Sequence, residues 1–339
     1  MTRRLVLAAV PAAAVLATLA LPLTAAAHGS VPHDAPTLGS IVLGWRFDPL
    51  IVGALAAAAF GWLLLVRAVG RAHPGRGVPV LRSAALFGGL AAIAVALLSG
   101  IERYDTTLFS IHMVQHLLLM LVAAPLLVLA APVTQLLRVA SPGVRARVLL
   151  PVLHSRLVGA VGHPVVAWLT FTLVLWLSHF TALFDVALEA RGIHELEHAI
   201  YLGAALLFWW PAIAADPARR RMPYPVRVLY LLLELPGNSF LGMAILFAET
   251  PFYQHYATLG APYGTTALVD QQIAGGIMWL AGDIAFIGAI LLVVAAWMRH
   301  EERDAPAAER RAAAQRAAIN ERAADLARSR GDGPASTSG

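Results

Sequence analysis

Long apolar runs alternate with short polar segments along most of this 339-residue chain. An α-helix needs about 20 apolar residues to cross the hydrocarbon core of a bilayer, and it satisfies its own backbone hydrogen bonds there. Runs of that length occur at residues 48–66, 83–99, 110–131, 164–182, 195–215, 226–247 and 271–298. The pattern therefore predicts an all-α fold, a polytopic membrane helix bundle with about seven transmembrane helices.

The ends of the chain differ from this pattern. Arg3 and Arg4, an apolar stretch and three alanines ending at Ala27 are typical of a cleavable secretory signal peptide. We expect a signal peptide at 1–27, an extracytoplasmic segment at 28–47 and the membrane domain at 48–298. The charged, alanine-rich residues 299–339 predict a cytoplasmic tail with one solvated helix and a disordered end.

Composition supports the membrane prediction. Hydrophobic residues make up 59% of the chain and charged residues only 13%, against about 25% charged residues in a soluble domain. All the positive charge is arginine, and most of it stands between apolar runs, which indicates membrane topology and no nucleic-acid binding. Cysteine is absent, so disulfides, thiolate ligands and a cysteine nucleophile are excluded. Any metal must be held by His, Met, Asp or Glu.

The arginines predict an orientation. Loops 67–82, 138–156 and 219–227 carry four arginines each, whereas the opposite loops carry Arg46, Arg103 and Arg191. Cytoplasmic loops are enriched in arginine. We therefore expect a multi-pass protein of the plasma membrane with its mature amino terminus outside and its carboxyl terminus in the cytoplasm.

Histidines supply the candidate chemistry. His112 and His116 stand four residues apart at the start of the third predicted helix, and His194 and His198 repeat that spacing at the start of the fifth. Such pairs share one helix face, and ionisable residues in a spanning segment are usually functional. His179 ends the fourth helix on the same side. Five histidines from three helices are thus expected to converge near the outer leaflet.

This convergence predicts a metal site. Imidazole suits zinc, copper, iron and haem, so ligand type leaves the metal open. Asp270 begins the seventh helix on the same side, and methionines such as Met113 and Met278 could supply soft ligands for Cu(I), although packing is their commoner role. The predicted metal ligands are His112, His116, His179, His194, His198, Asp270 and Met278.

One pentapeptide predicts a different function. Residues 194–198, His-Glu-Leu-Glu-His, fit H-E-x-x-H, in which two helical histidines bind zinc and the glutamate activates water. A membrane metalloprotease is therefore an alternative. The pattern fixes only three residues, and no third ligand with a recognisable context follows, so we favour a protein that is not an enzyme.

Several motifs together resemble a known family, the CtaG-type cytochrome c oxidase assembly factors, over about residues 45–300. They are His112-x-x-Gln115-His116 with Pro125 and Pro132, Trp176-x-x-His179, Glu197-His198 leading to Phe208-Trp209-Trp210-Pro211, and Asp270-Gln271-Gln272 leading to Gly275-Gly276-x-Met278-Trp279. The resemblance implies a role in maturing haem-copper oxidases, with copper supplied to the oxidase subunit that carries the dinuclear copper centre. A haem-binding membrane cytochrome that uses two of the same histidines is the other alternative.

Overall fold

The computed structural model describes residues 31–218 and 221–329. The predicted signal peptide at 1–27 lies outside these residues. Two compact units divide the chain, residues 1–290 and residues 291–339. Helices and irregular connections make up the described residues, and no strand occurs among them. The predicted all-α class is confirmed.

The seven predicted spans correspond to six long apolar helices and one bent pair. In chain order we call them the first to seventh spans. They are Pro49–Ala72, Val80–Tyr104, Phe109–Val139, the pair Pro164–His179 and Leu183–Glu189, Arg191–Ile213, Tyr224–Leu246 and Ala267–Pro306. The second is interrupted at Ser99 between Val80–Leu98 and Gly100–Tyr104, and the sixth comprises Tyr224–Leu232 and Glu234–Leu246.

The fourth span differs from the straight helix expected at 164–182. Its first helix ends at His179, and its second helix, Leu183–Glu189, turns by 72°. The Thr181 hydroxyl accepts the Leu183 backbone N–H at 3.3 Å beside the bend, and the N-cap position of the new helix is Ala182. The Asp185 carboxylate accepts the backbone N–H groups of Gln254 and His255 at 3.3 and 3.1 Å. This loop contact holds the second helix across the end of the bundle.

The third span changes its winding after the histidines. Phe109–Leu117 is α-helical, Leu118–Ala123 is π-helical and Ala124–Leu129 is α-helical again. Pro125 has no N–H to donate to the preceding turn, and the Ala124 N–H bonds the Leu119 carbonyl. The Met120 carbonyl therefore lacks an intrahelical donor, and the buried indole N–H of Trp209 in the fifth span donates to it at 2.9 Å.

The last helix of the third span is capped at its start by another part of the chain. Ala131 adopts a left-handed conformation, and the helix Pro132–Val139 begins directly after it. The buried Asp216 carboxylate accepts the N–H groups of Val133 and Thr134 at 3.1 and 2.6 Å. Asp216 therefore caps this helix from the segment that follows the fifth span.

Short helices connect the third and fourth spans. They are Pro142–Val144, the π-helical Arg145–Leu149, Leu150–Leu153 and Arg156–Val161. Other short helices are Leu38–Leu43, Gln254–Thr258 and the 3₁₀ turn Pro262–Gly264.

The sixth and seventh spans meet backbone to backbone at glycines. A Cβ added to Gly275 would lie 2.5 Å from the Leu246 nitrogen and 2.8 Å from the Gly242 carbonyl oxygen. About two turns further along the seventh span, the partly buried Asp283 carboxylate accepts bonds from Asn238, Ser239 and Trp279. Small residues at helix contacts permit this close approach in membranes.

The last helix runs from Ala267 to Ser329. Within the second unit, its described side chains from Glu301 onward are exposed. The assignment of residues 299–339 as a cytoplasmic tail stays a prediction.

Candidate metal centre

Two spans place four buried imidazoles in contact. The ring centroids of His112 and His116 are 4.2 Å apart on the third span, and those of His194 and His198 are 4.3 Å apart on the fifth. Between the spans, His112 lies 5.1 Å from His194 and His116 lies 5.6 Å from His198. All four residues are at most 6% exposed. The i, i+4 spacing therefore produces two histidine pairs that face each other; we call these four residues the histidine cluster.

Two carboxylates complete the cluster. The Glu197 Oε2 lies 4.0 Å from the His112 Nε2, and the Asp105 Oδ2 lies 3.9 Å from the His194 Nε2. The ligand atoms form two groups, each within 4.8 Å, namely His112, His194 and Glu197, and Asp105, His194 and His198. Because His194 belongs to both groups, these five residues form one continuous set of donors, whereas His116 belongs to neither group.

His112 and His116 have no hydrogen bond at either ring nitrogen within the described part of the chain. A neutral imidazole carries one donor and one acceptor, and leaving a buried polar group unsatisfied costs about 1–3 kcal/mol. Each ring is fully or almost fully buried. A bound cation would use an otherwise wasted lone pair on each ring, so the residues present fit a metal ion.

Gln115 links the cluster to a third carboxylate, that of Glu102. Its Oε1 accepts a bond from the His198 Nε2 at 3.0 Å. Its Nε2 donates to the Glu102 carboxylate at 2.7 Å and to the Ala96 carbonyl at 3.0 Å. Because the amide nitrogen is engaged as a donor, the amide oxygen faces His198 and the imidazole must carry its proton on Nε2. Gln115 thereby fixes the tautomer and orientation of His198.

His179 lies beside the histidine cluster and has its own orienting bond. Its Nδ1 bonds the Leu175 carbonyl at 2.7 Å. A carbonyl only accepts, so the proton is on Nδ1 and the lone pair is on Nε2. That Nε2 is buried and has no hydrogen bond with any described residue. Tyr201 contacts both His179 and His116, with centroid distances of 6.4 and 4.2 Å.

Aromatic side chains enclose the cluster. Phe184 from the bent helix is fully buried, and its ring lies 4.9 Å from His112 and 5.5 Å from His179. Tyr253 stacks on Phe184 at 4.3 Å and donates its hydroxyl to the His179 carbonyl. The 72° bend of the fourth span therefore places an apolar cover over the imidazoles.

Asp270 belongs to neither group of ligand atoms. Asp270 accepts the backbone and hydroxyl hydrogens of Ser110 at 3.2 and 2.5 Å, so it caps the start of the third span. Met278 is 3% exposed and follows two turns later on the seventh span. Both remain predictions as ligands.

Sequence reasoning missed Asp105 and Glu102 as partners of the cluster. Glu102 lies in the last helix of the second span, and Asp105 follows that helix directly and is only 1% exposed. Tyr256 donates to the Asp105 carbonyl at 2.6 Å and so holds Asp105 inward. Burial and the nearby Glu102 carboxylate raise the pKa of Asp105. The sequence signal was available, because two acids precede His112 by seven and ten residues.

Glu195, the glutamate of H-E-x-x-H, faces away from the imidazoles. Its carboxylate bonds Arg191 at 2.8 Å, and the side chain is 48% exposed. Arg191 also bonds Asp48 at the start of the first span. Glu197 is the acid that points into the cluster.

Comparison with known proteins finds one matching family model and several similar sequences. A family model described as the cytochrome c oxidase caa3 assembly factor matches residues 60–300. The chain is also similar to uncharacterized proteins of Mycobacterium bovis and Mycobacterium tuberculosis, at 33% identity over 82% of this chain and 43% of each relative. A Mycobacterium leprae relative is 32% identical over 79% of this chain and 41% of its own. The chain thus spans less than half the length of these curated relatives. No solved structure matches.

Proposed function

Because this chain belongs to the family of cytochrome c oxidase caa3 assembly factors, we propose that it binds copper at the histidine cluster as cargo. The recipient is the oxidase subunit that carries the dinuclear copper centre. The protein is multi-pass, and the cluster lies at the outer side of the plasma membrane. The observation that carries this proposal is the packing of His112 and His116 against His194 and His198, with both nitrogens of the first two rings left unsatisfied.

The donor set suits this cargo. Imidazole binds copper well, and the absence of cysteine from the whole sequence leaves nitrogen and oxygen donors as the main choice. Asp105 and Glu197 lie beside the imidazoles and, once deprotonated, balance the charge of a bound cation in a site that Phe184 shields from water. Gln115 and the Leu175 carbonyl orient two of the rings before an ion arrives. The residues hold and shield the ion, and no chemical step is assigned to them.

The geometry favours copper over the two other candidate functions. A haem needs a flat slot between its axial imidazoles, whereas these rings contact one another directly and Phe184 packs against two of the histidines. A zinc protease needs its glutamate beside the metal, whereas Glu195 is half exposed and bound to Arg191. Neither geometry matches the histidine cluster.

Copper binding to single and double variants tests the shared site. The purified apo-protein is titrated with Cu(I) against a chromogenic competitor, using wild type, His112→Ala, His198→Ala and the double variant. Ligands of one ion act as a unit, so the double variant should lose little more affinity than the worse single variant. His154→Ala, at an exposed loop position, is the matched control and should bind as wild type does. Independent, additive losses would argue for separate histidines and against the proposal.

Oxidase assembly in cells separates copper handling from proteolysis. Glu195→Gln should support near-normal oxidase activity and dinuclear-copper content, because the structure places this side chain outside the cluster. His198→Ala should fail in both measurements. If Glu195→Gln were as defective as His198→Ala while its metal stayed bound, the proposal would be wrong and a peptidase would be favoured.

A further inference from the structure

A cleft lies at the end of the bundle opposite to the histidine cluster. It has a volume of about 590 Å³, within the usual range of about 300–1,000 Å³ for ligand sites. The helix Arg156–Val161 forms one wall, and Leu207 and Trp210 of the fifth span form another. Twelve residues separate His198 from Trp210, which corresponds to about 18 Å along the helix. The cleft is therefore independent of the candidate metal centre.

The lining of the cleft combines apolar walls with positive charge. Apart from Arg156 and His163, the lining side chains are apolar. The His163 Nδ1 accepts the Val165 N–H and thereby caps the fourth span, which leaves Arg156 as the charged side chain at the cleft. Arg156 is exposed and forms no ion pair among the residues that the structure describes.

The connection between the third and fourth spans, which forms one wall of the cleft, also combines basic and apolar side chains. Between Asp105 and Asp185 the sequence contains no acidic residue, so Arg138, Arg145, Arg147 and Arg156 have no acid nearby in the chain. The same connection exposes large apolar side chains, with Leu157 73% exposed and Val152 56% exposed. Basic and apolar side chains together on short helices next to a span are typical of a segment that lies in the headgroup region of a bilayer.

We propose that this cleft is a binding site for one anionic phospholipid of the surrounding membrane. An acyl chain fills the apolar groove beside Leu207 and Trp210, and the headgroup phosphate pairs with Arg156. Charge complementarity identifies the occupant, since the cleft offers positive charge, no negative charge and a long apolar wall. Basic pockets between membrane helices bind anionic headgroups in this way.

Quenching by brominated lipids tests the proposal in the full-length protein. Wild type and Trp210→Phe are reconstituted in vesicles of dioleoyl phosphatidylcholine with either dibrominated phosphatidylglycerol or dibrominated phosphatidylcholine as the quencher. The difference between the two proteins isolates the fluorescence of Trp210. We expect this component to be quenched more strongly by the phosphatidylglycerol probe. Arg156→Gln should reduce that preference about fivefold, as expected for removal of one basic side chain near the headgroups. Arg310→Gln, at an exposed position of the second unit, is the matched control and should keep it.

A second measurement does not depend on Trp210. Native mass spectrometry of protein released from an equimolar mixture of the two dioleoyl lipids should show a phosphatidylglycerol adduct on wild type that Arg156→Gln loses, and inorganic phosphate should not displace it. Equal quenching and equal adducts for both lipids would overturn the proposal. An equal loss of the lipid preference in Arg310→Gln would also overturn the proposal, because it would indicate an effect of general surface charge. Displacement of the adduct by inorganic phosphate would overturn it as well, because it would indicate a site for the free anion. A cleft that neither lipid reaches would indicate that a protein segment occupies it.

Discussion

At the scale of single residues, Gln115 has the most informative position in the candidate site. It provides no ligand atom to either group, yet its amide bridges His198 and Glu102. A ring held by such an outer bond is presented to a metal in one tautomer and one orientation. The side chain is fully buried, so water cannot replace the bridge.

Replacement of Gln115 by leucine should therefore weaken metal binding without removing a ligand. We expect Gln115→Leu to lower copper affinity by about 10–100-fold, the usual effect of losing such a partner. Gln272→Leu is the matched control, because that amide bonds the Ala248 carbonyl and no cluster residue. Both variants are titrated with Cu(I) in the same competitor assay. Unchanged affinity in Gln115→Leu would show that His198 needs no orienting bond.

Single residues also explain what the sequence could and could not predict about the site. His112, His116, His194 and His198 were found because helical spacing alone brings i and i+4 onto one face. Asp105 was missed because its position depends on Tyr256, 151 residues later in the chain. Asp270 was predicted as a ligand from its depth; its bond to Ser110 was not expected, and its role as a ligand stays a prediction. Contacts between loops have no periodicity that a sequence displays.

At the scale of helices, the contact between the sixth and seventh spans depends on one glycine more than on its neighbour. A Cβ at Gly275 would overlap backbone atoms of Leu246 and Gly242, which cannot move aside. At the adjacent Gly276, the nearest atom to an added Cβ is the Leu246 Cδ1 at 3.9 Å. Two consecutive glycines therefore differ in the space around them.

Alanine substitutions should reveal that difference. We expect Gly275→Ala to lower the free energy of unfolding by about 1–3 kcal/mol, because overpacking forces the two backbones apart. Gly276→Ala should change it by no more than about 1 kcal/mol, since the site is open and alanine favours a helix. Thermal unfolding of the two purified variants in one detergent measures both effects. Equal destabilisation would contradict the close approach of these spans.

Helix positions were well predicted and helix irregularities were not. Apolar length identified every span, because a bilayer imposes a minimum run of residues. The bend after His179 was missed, since it depends on Asp185 holding a distant loop. The break at Ala131 was missed for a similar reason, because Asp216 supplies the cap from elsewhere in the chain.

At the scale of the whole molecule, the two ends of the bundle provide a test of the predicted membrane orientation. Arg103 is exposed at the end of the bundle that holds the histidine cluster. Arg147 is exposed at the opposite end, which holds the cleft beside Trp210. The chain has no native cysteine, so a single introduced thiol is unique. The positive-inside rule predicts that Arg147 lies in the cytoplasm.

Labelling of intact cells checks this orientation. With an impermeant thiol reagent, Arg103→Cys should react and Arg147→Cys should react only after the cells are opened. Asp105→Cys is a useful comparison at the same end, because its side chain is buried and should react slowly in folded protein. Labelling of Arg147→Cys in intact cells would contradict the predicted orientation and would place the histidine cluster on the cytoplasmic side.

The π-helical turn at Leu118–Ala123 has a consequence for comparison of this chain with its relatives. Such a turn holds one more residue than the regular helix it interrupts, and here Pro125 and the Met120 carbonyl account for it. Relatives without a proline at this point can wind the span regularly. Their correct alignment with this chain then carries a one-residue gap between the histidine pair and Pro125. An ungapped alignment would rotate every later position of the span by about 100° and would equate its core-facing residues with lipid-facing ones.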